Sequence, residues 1–248
     1  MTGPRLSPTA LLAIIQPWSA VAESVHRRVL QLSDATERTE TLWVGCGSGR
    51  SVLWWAARLG APIEGIDPDP KAIALAERAT RAVGLGRYVN LQQADPANLP
   101  HRDAVFDLAV IRMLQCGLAD GGDVIAQASG VVRPGGHVIA LVPTWFNTPG
   151  PGDADTLLTL GIRPRQLVEW KAACRTAGLV DLVVEEAAPD GTWLAAGRLG
   201  PLMRARRTAG WRGVATVLSP AFRTLRRLAE TRKLGLSLIK GSRWPHAT

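Results

Sequence analysis

The segment Thr41-Leu-Trp43-Val-Gly45-Cys46-Gly47-Ser-Gly49-Arg50 runs an apolar stretch straight into three alternating glycines, and a helical pattern begins at once with Ser51 and Val52. The chemistry open to such a segment is ligand binding. Glycine permits a tight turn and a close backbone approach, and amides at a helix start offer donors and partial positive charge to a carboxylate or phosphate. Spacing narrows the ligand. A dinucleotide site wants G-x-G-x-x-G, which would put glycine at position 50, but arginine stands there. Two carboxylates follow at matching places downstream: Asp67 in Gly65-Ile-Asp67-Pro68, and Asp95 in Gln92-Gln-Ala94-Asp95. A carboxylate at the carboxyl end of a strand can accept two hydroxyl hydrogen bonds, and charged acceptors make strong ones. Cys46 lies inside the glycine loop, where a backbone contact to a ligand fits better than a nucleophile. The histidines His26, His101, His137 and His246 have no metal spacing, so no metal site is expected.

These residues need a scaffold that brings strand ends together. Strand-like runs occur at Thr41–Val44, Ile63–Ile66, Tyr88–Gln92, Val105–Ile111, Val138–Val142, Leu179–Glu185 and Trp193–Ala196. Helical patterns lie near 50–59, 70–83 and 120–132, with another from about 164 to 176. Continuous apolar strands separated by helices indicate an α/β protein whose mostly parallel, seven-stranded, Rossmann-like sheet has helices on both faces. Asp69 caps a helix that opens at Pro70, and Gly84 closes it. Residues 8–32 read as a further helix, divided near Pro17.

The chain has 248 residues, 46% hydrophobic and 20% charged, an ordinary globular balance. No apolar run reaches the ~18–20 residues of a membrane span, and the first ten residues lack a secretory pattern. Cys46, Cys116 and Cys174 are odd in number and far apart, which suits a reducing cytoplasm. The net charge of +8 is concentrated at one end: residues 201–248 hold eleven Lys and Arg against one acid, Glu230. The expected division is therefore an amino-terminal helical cap over 1–40, a ligand-binding domain over 41–200, and a basic amphipathic helical tail over 201–248. Within that tail Trp211, Val214, Val217 and Leu218 share a helical face. Ser219-Pro220 starts a new helix with Phe222, Leu225, Leu228 and Ala229 on one side and arginines on the other.

The G-x-G-x-G pattern at 45–49 resembles the first motif of the class I S-adenosylmethionine-dependent methyltransferases, and the likeness runs over residues 41–199. It continues through Asp67-Pro68, Ala94-Asp95, Val105-Phe-Asp107-Leu-Ala-Val-Ile-Arg112 and the turn Pro134-Gly135-Gly136. Among small-molecule enzymes it is most similar to the branch that includes quinone-biosynthesis methyltransferases. The resemblance implies S-adenosylmethionine as cofactor, with Gly45, Cys46, Gly47 and Gly49 around its methionine part. It also implies Asp67 on the ribose, Pro68 against the adenine, Ala94 and Asp95 at the adenine amino group, and Arg112 as a further contact. The sequence departs from the family at Trp43, where an acid usually helps hold the cofactor's amino group; Glu40 or backbone carbonyls are the candidate replacements.

No residue stands out as the catalytic base. His26, on the amino-terminal helix, reads as a solvated helix residue before it reads as a base. Cys116 reads as a small core residue, Asp107 as a structural strand-start residue, and Trp18 and Trp145 as candidates for an apolar acceptor pocket. The implied activity is methyl transfer to a small or lipophilic acceptor. Two alternatives stand beside it: a nucleic-acid methyltransferase that uses the basic tail, and a non-catalytic binding module. The tail itself suits packing on the domain, an anionic membrane surface, or nucleic acid.

Overall fold

A computed structural model describes residue 10 and residues 20–117, 119–187 and 199–244. The expected strand Trp193–Ala196, together with Pro17, Trp18 and His246, lies outside the described residues.

Helix α1 (Ala20–Ser33) leads into strand β1 (Thr41–Val44), then α2 (Arg50–Leu59), β2 (Ile63–Asp67), α3 (Pro70–Ala82) and β3 (Val89–Gln93). Strand β4 (Phe106–Arg112) ends in a single 3-10 turn, Met113–Gln115, followed by α4 (Gly121–Val131) and the long β5 (Val132–Trp145). Beyond it come α5 (Asp153–Thr159), β6 (Arg165–Gln166), α6 (Leu167–Thr176), β7 (Leu179–Glu186), α7 (Leu199–Leu218), α8 (Pro220–Glu230) and β8 (Leu234–Arg243).

The strand order is β3-β2-β1-β4-β5-β8-β7, with β6 paired to the end of β5. Neighbours from β3 to β5 are parallel, whereas β8 runs antiparallel to both β5 and β7. The chain therefore winds outward from β1 to β3, then returns to β4 on the other side of β1. That reversal leaves a crevice at the carboxyl ends of β1 and β4, the usual place for a ligand in an open α/β sheet.

Strand alternation explains how β1 serves two cores at once. Leu42 and Val44 face Val124, Ile125 and Trp170, on the side of α4 and α6. Trp43 faces the opposite core with Val25, Trp55 and Phe222, on the side of α1, α2 and α8. Helix boundaries follow local chemistry. Asp69 accepts the amide of Lys71 ahead of Pro70, and Ser219 accepts that of Phe222 ahead of the α8 helix.

The carboxyl-terminal region needs a correction. Residues 234–243 were expected to be helical tail, but they form β8 and lie between β5 and β7. The physical reason lies in the alternation of Leu234, Leu236 and Leu238, which are all buried. Antiparallel pairing on both sides, from Trp145↔Leu234 to His137↔Ser242 along β5, makes this strand integral to the sheet. Only α7 and α8 match the helical expectation, as an insertion between two strands.

Candidate active site

The glycine loop is shaped by positive backbone angles, with φ of 76° at Gly45, 56° at Gly47 and 79° at Gly49. Side chains at these positions would also collide. A Cβ on Gly45 would stand 2.9 Å from the Arg112 carbonyl oxygen, and one on Gly49 would stand 2.8 Å from Ala76 Cβ on α3. The loop is tied to β2 from beneath. The amides of Gly45 and Cys46 both donate to the Ile66 carbonyl, and the Gly47 amide donates to Asp67 Oδ2 at 2.8 Å.

Asp67 has a second amide partner, that of Asp69 at 2.9 Å, and is only 1% exposed. Burial pushes its carboxyl up to about 6, against the pull of its two amide donors and of Arg112. At the end of β4, burial pulls Arg112 down to about 10, so its guanidinium stays charged at neutral pH. Arg112 Nη1 donates to Ser51 Oγ at 2.9 Å, and the same hydroxyl lies 3.1 Å from His26 Nε2. The chain thus joins α1, the start of α2 and the end of β4 through the buried His26 and Ser51 and the part-buried Arg112.

His26 therefore corrects the reading of a solvated helix residue. It is 4% exposed, because α1 lays it against the sheet with its ring 5.5 Å from Trp43 and 5.8 Å from Trp54. Burial and the nearby Arg112 charge lower it to about 3, so it is neutral and a weak base. Around it lies a small cavity lined by Val25, Val29, Trp43, Val110, Leu141 and Leu238, with His26 and Arg112 as the polar groups.

Trp43, at the position where an acid was looked for, has become a core residue. It is 1% exposed and meets Trp55 edge-on at 5.3 Å. Glu40 cannot replace that acid, because it sits at the opposite end of β1. There it pairs with Arg133 at 2.6 Å, and Arg133 also binds Asp107 at 2.7 Å. Asp107 accepts the Glu40 amide as well, a structural role in agreement with its reading as a strand-start residue.

The remaining sequence candidates line an open groove of about 600 Å³, formed by Pro68, Gln93, Ala94, Asp95, Pro96, Ala97, Cys116 and Ala119. Pro68, Ala94 and Asp95 are thus brought together on one surface, whereas Asp67 is sealed behind the loop amides. Cys46 and Cys116 are both buried, and burial raises both thiols, which disfavours the thiolate a nucleophile needs. Trp145, 8% exposed at the end of β5, belongs to the core on the α1 side.

One residue of the site escaped the sequence reading. Gln115 is 3% exposed and lies across the loop, so that a Cβ on Gly47 would run into its side-chain amide nitrogen. Its Oε1 is buried with no hydrogen-bond partner among the described residues. The available signal was a lone amide side chain inside the otherwise apolar run Met113-Leu114-Gln115-Cys116.

A reversal of strand order beside a glycine loop, with an acid ending β2 and an open groove beyond it, defines a Rossmann-like nucleotide-binding fold. Residues 42–140 match the family described as "Methyltransferase domain", a match that takes in the glycine loop, β2 and β4. The methyltransferase GfsG of Streptomyces halstedii is 29% identical over 126 residues, which cover 50% of this chain and 45% of that protein. The 27-O-demethylrifamycin SV methyltransferase of Amycolatopsis mediterranei is 28% identical over 143 residues, 55% of this chain and 52% of that one. The chain thus spans about half the length of these curated relatives. Among solved structures, the (4+2)-cyclase SpnF matches with a TM-score of 0.73 at 18% identity, covering 98% of this chain and 99% of that chain, a likeness of fold.

Proposed function

We propose that the chain binds S-adenosylmethionine and transfers its methyl group to a small or lipophilic acceptor. The observation that carries the reading is the conjunction of a loop whose Gly45, Gly47 and Gly49 adopt positive φ, which permits close backbone approach, with an open groove lined by Asp95. The residues fit the cofactor once Gln115 leaves Gly47 and the Gly47 amide leaves Asp67 Oδ2. The groove of Pro68, Ala94 and Asp95 suits a purine and its exocyclic amine, and the carboxylate of Asp67 suits ribose hydroxyls. The guanidinium of Arg112 suits an amino-acid carboxylate, the amides of Gly45, Cys46 and Gly47 being donated to Ile66 and Asp67. Gln115 covers Gly47 and has to swing aside to admit the amino-acid end.

Bound there, the cofactor supplies a methyl group already made electrophilic by its sulfonium. The protein's own contribution is alignment, and holding two reactants in a near-attack geometry contributes about 7–11 kcal/mol. The cavity beside Arg112, walled by Val25, Val29, Val110 and Leu141, has about 10 Å³ of free space, so an apolar acceptor at these strand ends requires α1 to move outward. His26, held neutral and weakly basic, positions α1 through Ser51 and is not suited to take the acceptor's proton. That favours acceptors that need little help, such as thiolates or stabilised carbanions, over alcohols of high pKa.

A second reading, a binding module that does not methylate, is favoured by one observation, the closure of Gln115 over Gly47. Incubation with methyl-labelled S-adenosylmethionine and separate panels of thiols, quinols, polyketide lactones and transfer RNA tests both. Label in an organic-extractable product supports the proposal, and label in RNA replaces it with nucleic-acid methylation. Cofactor binding without transfer to any panel supports the module.

A further inference from the structure

Helices α7 and α8 enter and leave the fold at the edge that carries the site. Strand β7 runs parallel to β5 and ends at Glu186, while β8 begins at Leu234 opposite Trp145, the carboxyl end of β5. On its inner side α8 is anchored by buried Phe222, Leu225, Leu228 and Ala229. It is further held by an ion pair of 2.6 Å between Arg227 and Asp153 at the start of α5.

The outer surface of the insertion is unlike the rest of the protein. Three large apolar side chains of α7 stand in solvent: Met203 is 56% exposed, Leu218 59% and Trp211 75%. Exposed arginines at 206, 207, 212 and 223 accompany them, and the Arg206 guanidinium lies 5.4 Å from the centre of the Trp211 ring. Between residues 199 and 233 the sequence holds a single acid, Glu230, at the far end of α8. Gly210, with φ 59° and ψ −144°, bends α7, so its two halves present these side chains from differently directed segments.

We infer that this outer surface of α7 and α8 is a membrane-docking face, one that seats the chain on an anionic lipid bilayer with the edge bearing the site turned toward the lipid. Two features have to be met together, and they select the occupant. A second copy presenting the same face would bring arginines against arginines, with Glu230 the single acid of the segment to answer them. An RNA would satisfy the arginines but leave Met203 and Leu218 without a counterpart. An anionic bilayer accepts both: aromatic and aliphatic groups settle at the headgroup boundary, and lipid phosphates face the guanidinium groups. The docking face stands on exposure and charge alone, whereas its purpose, delivery of a lipophilic acceptor, rests on the proposed function.

The test is co-sedimentation of the full chain with phosphatidylcholine vesicles, with and without phosphatidylglycerol. Wild type is expected to sediment with the anionic vesicles, to remain in solution with the neutral ones, and to be released by salt. Arg206→Glu/Arg207→Glu is expected to weaken partitioning by at least about thirtyfold, taking each arginine's contribution near a charged leaflet. Trp211→Ala is expected to lower it less, and both variants should melt as wild type does because the residues are exposed. Absence of sedimentation, equal sedimentation with neutral vesicles, or variants that bind as wild type would each overturn the inference. A salt-sensitive RNA shift without vesicle binding would transfer the face to RNA, and self-association abolished by Trp211→Ala would transfer it to a second copy. Binding of S-adenosylhomocysteine, measured in parallel, separates failure of docking from failure of the proposed function.

Discussion

Replacing Asp67 with asparagine should change how stability depends on pH, by an amount that the site itself sets. Burial raises this carboxyl from its ordinary value near 3.8 to about 6. The native state therefore holds the proton more tightly than the unfolded chain does. The contribution is fully present below about pH 4 and is lost as pH rises through 6. At 1.36 kcal/mol per tenfold, the loss comes to about 3 kcal/mol between those limits. Asp67→Asn keeps the shape but cannot titrate, so any cost from its poorer match to the Gly47 and Asp69 amides stays constant with pH. Thermal unfolding from pH 4 to 7.5 should show wild type falling relative to the variant by about 6–12 °C, on the usual scale for a protein of this size. The same ionisation should govern the ligand. If ribose hydroxyls donate to the charged carboxylate, about one molecule in eleven is competent at pH 5, and S-adenosylhomocysteine should bind roughly tenfold more weakly there than at pH 7.5. Parallel melting curves for the two proteins across the range would refute the reasoning.

Gly47→Ala combines a positive φ with the Gln115 collision and should cost about 1–3 kcal/mol in urea denaturation. Adding Gln115→Ala should recover the collision part, leaving only the backbone strain. Restoring an acid with Trp43→Asp should not restore a family-like site. It places a carboxylate in a core position 1% exposed, and a loss of at least about 3 kcal/mol is expected from the lost packing and unpaired charge; an undiminished urea midpoint would contradict this. Ending the chain at Gly200 removes β8 from between β5 and β7, so the truncated protein should lack a cooperative calorimetric transition.

The parts of this molecule that repeat a local rule were legible in the sequence. The strands β1 to β4, the Asp69-Pro70 and Ser219-Pro220 helix starts, and the glycine loop follow from periodicity and turn chemistry within a few residues, whereas β5 begins six residues before the expected Val138. Strand β8 was hidden because Leu234, Leu236 and Leu238 follow two arginine-rich helices, whose longer helical period dominates over a short period of two. The site was half legible. Pro68, Ala94 and Asp95 do share a groove, but the burial of His26 and Asp67 depends on how α1 lies against the sheet and how the glycine loop folds over the end of β2. Those are contacts between positions distant in sequence, such as His26 with Ser51, which no local pattern encodes. Trp43 shows the same limit: one residue type marks the lost acid, while its edge-on packing on Trp55 explains what replaced it.

Calorimetric titration of S-adenosylhomocysteine into wild type, Gln115→Ala and Asp95→Ala puts the nucleoside site to the most direct trial. One molecule should bind per chain, more tightly when the side chain over Gly47 is trimmed and more weakly when the groove loses its carboxylate. Absence of heat from wild type and from Gln115→Ala alike would contradict the account.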